Sequence, residues 1–174
     1  MVENETEFAA LGAHPALAAA LAERGYQTPT GVQAAVLAAP DRDLLVSSQT
    51  GSGKTVAFGL LVARRLLGDA ATLTPGTAPR ALVVAPTREL AAQVQRELEW
   101  LLSPTGARIA AFTGGTDLRI DGRTLRRGVD VVVGTPGRLV DLVERKSLDL
   151  SALQVVVLDE ADEMLDLGFR DSLQ

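Results

Sequence analysis

Five short apolar runs punctuate the chain, at residues 44–46, 81–85, 108–112, 129–133 and 155–158. Each is followed by a polar segment and then, in most cases, by apolar residues at helical spacing. The runs are continuously apolar rather than alternating, which predicts strands of a parallel sheet with helices on both faces, an α/β architecture. Right-handed crossovers place the C-terminal ends of such strands along one edge. The polar segments then gather on that edge, where sheets of this kind bind ligands. Helices are predicted over 15–24, from the end of 25–33 to about 39, over 56–67, from the Thr87 cap to 102, and from Arg138 to about 146. Pro15 suits a first helical turn, Leu17 and Leu21 share a face, and Gly25 ends the helix. Pro86 enforces a turn and Thr87 can cap the helix after it. Residues 69–79, rich in Gly, Pro, Thr and Ala, read as a loop.

The run 44–46 leads into Ser47-Ser48-Gln49-Thr50-Gly51-Ser52-Gly53-Lys54-Thr55. A glycine-rich turn between strand and helix, ending in Gly-Lys-Thr, is a phosphate cradle. Its N–H groups point inward, the helix start adds partial positive charge, Lys54 adds a full one, and the Thr55 hydroxyl suits Mg²⁺. The general pattern has glycine where this chain has Ser48. The bland alternative is an ordinary glycine-rich turn, and the flanking strand and helix favour the cradle. Asp159-Glu160 follows the run 155–158. A carboxylate at a buried strand end can organise Mg²⁺ through water, and its neighbour can polarise an attacking water. The alternative is a pair of acidic residues favoured by a helix dipole. Thr30 and Gln33 have capping-box spacing, which leaves Gln33 open between a structural and a ligand-binding role.

The 174 residues suit one domain, with 47% hydrophobic and 22% charged residues. There is no cysteine, which excludes disulfides and thiolate metal sites and suits a reducing, cytoplasmic setting. Glu3, Glu5 and Glu7 stand where a secretory leader would be basic, and no stretch predicts a membrane span. The net charge of -5 argues against bulk electrostatic attraction to nucleic acid, so such binding needs a local arrangement. Arg119, Arg123, Arg126 and Arg127 could supply local positive charge or form a solvated helix face.

With these motifs in place, the chain resembles the N-terminal RecA-like domain of DEAD-box RNA helicases. Asp159-Glu160-Ala161-Asp162 spells the family's name, and Met164-Leu165-Asp166-Leu167-Gly168-Phe169 continues as in the family. Residues 25–33 match the Q motif, 49–55 motif I, 86–90 motif Ia, and Gly114-Gly115 with 135–138 the motif Ib region. The resemblance implies a three-layer RecA-like P-loop NTPase fold and the use of ATP with Mg²⁺. It assigns adenine contact to Gln33 and Tyr26, with Phe8 packing behind them. Nucleotide contacts fall to Ser48, Gln49, Thr50, Gly51, Ser52, Gly53, Lys54 and Thr55. Catalysis falls to Glu160, Asp159 and Lys54, and the metal to Thr55 and Asp159. RNA-backbone contacts fall to Pro86, Thr87, Arg88, Gly114, Gly115, Thr135, Pro136, Gly137 and Arg138.

The resemblance also divides the chain into an N-terminal extension with a first helix (1–24) and a RecA-like ATP-binding domain (25–174) that is incomplete at its C-terminus. The family's second RecA-like domain, the expected partner besides RNA, is absent. The chain alone is therefore expected to bind nucleotide weakly and not to unwind RNA. In the family's sheet a later strand separates the strands 44–46 and 155–158, so these two are not expected to pair. The competing readings are a nucleotide- or RNA-binding module without turnover and a related P-loop DNA-remodelling ATPase.

Overall fold

The computed structural model describes residues 6–173; Glu3 and Glu5, on which the reading of the N-terminus rests, lie outside the described residues. Two compact units form. One comprises the described residues up to Leu73 with Trp100–Gly106, the other Thr74–Glu99 with the described residues from Ala107 onward. No helix among the described residues is long and apolar enough to cross a membrane.

The first unit is helical. Helix α1 (Glu7–Ala10) is followed by α2 (Pro15–Glu23), α3 (Gly31–Ala38) and α4 (Lys54–Leu67). Pro15 occupies the first turn of α2, Leu17 and Leu21 are completely buried, and Gly25 adopts a φ of +82° just past the helix end. His14 caps α2: its Nδ1 accepts from Ala16 N (3.3 Å), so Nε2 carries the proton it donates to the Ala70 carbonyl (3.1 Å). Helices α3 and α4 pack together, burying Val36 and Leu37 on one and Val56 and Leu60 on the other. Arg64 Nη1 donates to the Leu37 carbonyl (3.3 Å), tying the two again.

One expectation fails in this unit. Residues 44–46 are not a strand; they have no regular secondary structure, and Leu45 is fully exposed. An apolar run becomes a strand only where a neighbour completes its backbone ladder. This unit contains no strand among its described residues. The phosphate-cradle motif therefore does not follow a strand here, and the question of a gap between 44–46 and 155–158 in one sheet does not arise.

The second unit carries the sheet. Strands β1 (Ala81–Val84), β2 (Ile109–Phe112), β3 (Val131–Gly134) and β4 (Val155–Leu158) run parallel in the order β2-β3-β1-β4. Between them lie α5 (Arg88–Leu102), whose last residues belong to the first unit, α6 (Leu118–Arg126) and α7 (Pro136–Glu144); α8 (Ala161–Asp166) comes after β4. β3 is buried at every position and β1 at all but one. Val84, Phe112, Val132, Leu139, Leu142 and Met164 share one core cluster. Val83, Val131 and Val133, which point to the opposite face by strand alternation, are also completely buried. β4 departs from the expected buried strand: Val156 and Leu158 are exposed by 54% and 47%. Among the described residues it pairs with β1 alone.

The predicted strand at 129–133 begins two residues late, because Asp130 does different work. Its carboxylate is 2% exposed and receives Arg80 Nη2 (2.9 Å), Arg108 N and Nε (2.9 Å each) and Arg108 Nη2 (3.1 Å). Its carbonyl accepts from Arg80 N and Ala81 N. One side chain thus clamps the starts of β1, β2 and β3. Burial alone pushes the Asp130 carboxyl upward in pKa. The hydrogen bonds from the Arg108 side chain and backbone and from Arg80 outweigh this and hold it below the usual carboxylate range.

Candidate functional site

In the first unit the glycine-rich loop 47–55 leads into α4 but follows no strand. Gly51 and Gly53 adopt φ values of +79° and +85°, conformations only glycine takes without strain. Gly53 is the N-cap of α4 and supplies no side-chain cap, so the first N–H groups of α4 keep their capacity to meet an anion. Lys54 and Thr55 begin that helix, half-buried. At the position where the general pattern has glycine, the Ser48 hydroxyl accepts from Ser52 Oγ (2.9 Å) and braces the loop. Gln49 and Thr50 are exposed.

Gln33 joins this loop to α3. The capping box forms in full: Gln33 N donates to Thr30 Oγ1 (3.4 Å), and Thr30 N donates to Gln33 Oε1 (3.0 Å). Gln33 is 2% exposed, and its Nε2 donates to the Gly53 carbonyl (3.2 Å). A Cβ on Gly53 would collide with that amide. Capping and ligand contact are compatible by valence. The amide has two N–H bonds and two lone pairs, so one donor and one acceptor remain.

Tyr26 is half-exposed, and its ring stacks on Trp100 with centroids 5.9 Å apart and planes 11° from parallel. The Arg24 guanidinium lies 4.4 Å from the Trp100 ring centroid. Phe8 is completely buried, which suits packing rather than ligand contact.

In the second unit, Asp159 follows β4 and is 7% exposed; its N–H donates to the Val84 carbonyl (2.9 Å), extending the ladder by one residue. Glu160 caps α8 with a φ of +53°, one of two non-glycine residues in the left-handed region among those described. Such a conformation costs about 1–3 kcal/mol and collects at functional sites. A hydrogen bond shared with Glu160, with smaller contributions from desolvation and nearby charge, raises the pKa of Glu163. Thr55 and Asp159, the two expected metal ligands, belong to different units. No group of three or more His, Cys, Asp or Glu that could hold a metal exists among the described residues. That donor chemistry fits Mg²⁺, which keeps several waters and takes substrate phosphates with one or two protein oxygens.

The predicted RNA-contact residues largely converge. An open concavity of about 500 Å³ is lined by Pro86, Thr87, Arg88, Gly114, Gly115, Thr135, Gly137 and Arg138, with Asp141 and Phe169 added. Pro136 is buried in the first turn of α7 and does not line it. Thr87 Oγ1 accepts from Leu90 N (3.2 Å), capping α5 as expected. The exposed Arg88 guanidinium lies against the glycine doublet, 2.8 Å and 3.3 Å from where side chains at Gly115 and Gly114 would begin. The Thr135 hydroxyl does not cap α7.

Arg138 is placed differently from Arg88. It is 7% exposed; Nη2 donates to the Thr116 carbonyl (2.7 Å), and Nη1 lies 3.3 Å from Asp121 Oδ2. The latter pair has ion-pair distance without hydrogen-bond geometry. Arg138 thus holds the loop that carries the glycine doublet. Burial pushes the Asp121 carboxyl upward in pKa, and Arg138 and Thr116 oppose this only in part.

Three features are not legible in the sequence. Trp100 and Arg24 sit far from Tyr26 or outside its motif, and their only sequence signal is that the chain has a single tryptophan. The Asp130 clamp is hidden inside a valine run. The Asp121–Arg138 pair could be suspected only from two charges in otherwise apolar helix faces.

A family profile described as DEAD/DEAH box helicase matches residues 30–174. "DEAD-box ATP-dependent RNA helicase 52A" of Oryza sativa subsp. japonica is 43% identical over 96% of this chain and 30% of its own length. "ATP-dependent RNA helicase DeaD" of Escherichia coli (strain K12) is 43% identical over 100% of this chain and 27% of its own. The chain therefore spans less than a third of these curated relatives. Among solved structures, a DEAD box protein from the hyperthermophile Methanococcus jannaschii superposes with a TM-score of 0.85 at 31% identity, covering 95% of this chain and 44% of that one. The S. cerevisiae protein Dbp5, bound to RNA and ADP BeF3, gives 0.79 at 30% identity, covering 97% and 42%.

Proposed function

The chain belongs to the DEAD/DEAH box helicase family, and on that premise we propose that it is the ATP- and RNA-binding half of an RNA helicase that couples ATP hydrolysis to local RNA remodelling. The observation that carries this reading is the Gln33 amide fastened to the Gly53 carbonyl of the phosphate loop. Its two existing bonds fix which end of the amide donates and which accepts. The remaining acceptor on Oε1 and donor on Nε2 complement the N6 amino group and N7 of adenine. Guanine offers an oxygen acceptor in place of the amino group. Reading it would require turning the amide, which breaks the α3 cap and the Gly53 bond together. Tyr26, stacked on Trp100, offers its accessible ring to the base.

In this reading Lys54 and the first N–H groups of α4 hold the outer phosphates. Thr55 and Asp159 are the residues the family resemblance gives to Mg²⁺, which would neutralise charge on the phosphates. Glu160 orients and deprotonates the attacking water. Arg88, the glycine doublet and the Thr135 hydroxyl take RNA phosphates without reading bases, with a second RecA-like domain completing both sites. A cytoplasmic location belongs to the same reading.

Nucleotide affinity tests it, with the fluorescence of the only tryptophan as a readout beside the Tyr26 ring. ATP and ADP are expected to bind more tightly than GTP. Gln33→Ala should weaken ATP about 5–10-fold, the loss of about one net hydrogen bond, and erase the preference. Equal affinity of the unmodified chain for ATP and GTP would overturn the adenine assignment. In the full protein, Glu160→Gln should cut ATP turnover by at least about a hundredfold while ATP and RNA remain bound. A variant with undiminished turnover would remove Glu160 from the chemistry.

A further inference from the structure

We propose that a second basic concavity, between α6 and the end of α7, is a phosphate-binding site that takes the RNA backbone beyond the cleft lined by Arg88 and the glycine doublet. The proposal rests on the RNA reading above. This concavity, of about 490 Å³, is lined by Arg119, Arg123 and Arg126 of α6, by Arg145, by Ser147 and by Gly122. The spacing i, i+4, i+7 puts the three α6 arginines on one helix face. Like charges so placed repel, which disfavours the helix unless an anion compensates them.

Compensation within the protein is slight. Asp117 meets Arg119 at 3.7 Å, a contact in which Arg119 is 90% exposed. Arg123, Arg126 and Arg145 make no ion pair or side-chain hydrogen bond among the described residues. Three uncompensated guanidinium groups on one concavity are unexpected in a chain of net charge -5.

The floor of the concavity is built for a small anion. Gly122 is a buried glycine in the interior of α6, a position where glycine weakens a helix. Packing does not demand it. A Cβ there would lie 3.8 Å from both Arg126 Nη1 and Ser147 Oγ, ordinary contact distances. What the missing side chain does is leave open the spot on which a guanidinium and a hydroxyl converge. Lys146 adopts a φ of +57°, and the backbone of Ser147 bonds the Leu142 carbonyl (2.9 Å), which turns the chain so that Arg145 and Ser147 flank the same opening. A fork of guanidinium donors with a hydroxyl suits phosphate oxygens. The two concavities are consecutive along the chain: Gly115 lines one, Asp117 the other, and only Thr116 lies between.

The test measures binding of single-stranded RNA of two lengths to the full protein across a salt series. An oligonucleotide of about 6 residues serves for the cleft alone and one of about 14 for both concavities, both within the roughly 4–16 nucleotides of known single-strand site sizes. Two variants are compared, Arg123→Gln with Arg126→Gln, and Gly122→Leu, which fills the floor without changing charge. Both should weaken the long RNA about tenfold and leave the short one unchanged. The double arginine variant should also reduce the salt slope for long RNA by about 1.4, or 0.7 per lost phosphate contact. An unchanged affinity and slope for long RNA overturns the proposal. So does a loss confined to the arginine variant, which would mean diffuse surface charge rather than a pocket. Competition with inorganic phosphate separates the sources: phosphate that protects the concavity with no dependence on RNA length assigns it to a free anion and overturns the RNA assignment. If the unmodified protein binds neither RNA, the cleft reading itself fails, a result distinct from loss of long RNA alone.

Discussion

Asp130→Ala is expected to lower the stability of the chain by about 3 kcal/mol. The carboxylate is almost completely buried and collects four donor contacts from Arg80 and Arg108. Its removal orphans the half-buried Arg108 N–H and unfastens the starts of three strands. The figure sits at the low end for a broken buried pair because the Arg108 side chain is 36% exposed and can turn to water. Urea unfolding of the two proteins checks it, and a loss under about 1 kcal/mol would show that the clamp is ornamental. The pH dependence has a definite sign. The folded-state pKa of Asp130 is depressed, so its contribution is present above the ordinary carboxylate pKa, about 3.9, and fades as pH falls through the folded value. The gap between parent and variant should therefore close in acid. Asp121, whose pKa is raised by burial, acts in the opposite sense. It favours folding below the unfolded pKa and loses that contribution as pH rises through the folded one.

Gly53→Ala should be the most damaging change to nucleotide binding. The alanine would have to hold a φ of +85° and would strike the Gln33 amide. The first cost is about 1–2 kcal/mol, and displacing Gln33 forfeits the Gly53 bond and the matched polarity, about 1 kcal/mol more. ATP affinity should fall by at least about 30-fold, with α3 losing part of its cap. Isothermal titration measures the first and far-ultraviolet circular dichroism the second. Affinity within twofold of the parent would show that the close approach of Gln33 and Gly53 plays no part in binding. Ser52→Ala, which removes only the brace to Ser48, should cost far less.

What could be read from sequence was whatever is encoded locally. Thr30 and Gln33 announced a capping box, and both of its bonds form. Thr87 announced a cap, and the glycines at 51 and 53 announced a tight turn, which both make with positive φ. Valine runs located β1, β3 and β4 to within two residues. Failures came where a neighbour distant in the chain decides the outcome. Residues 44–46 have the composition of a strand, but no strand among the described residues of their unit stands ready to pair with them. Arg88 and Arg138 look alike in sequence, yet one lies exposed over the glycine doublet and the other is buried against Asp121 and Thr116. The Tyr26–Trp100 stack joins residues 74 positions apart in numbering, a distance that no periodicity encodes.

β4 carries one further consequence, for the behaviour of the protein in concentrated solution. Val155–Leu158 has the β-branched composition of a self-templating strand, and two of its side chains face water. Directly after it come Asp159-Glu160-Ala161-Asp162, three carboxylates in four residues. Placed there, they act as gatekeepers: stacked copies of the strand would bring like charges into register and repel one another. The same carboxylates are therefore expected to keep the molecule dispersed. Neutralising them, by acid or by substitution, should lower solubility along with activity, so losses in such variants have to be read on the monomeric fraction alone.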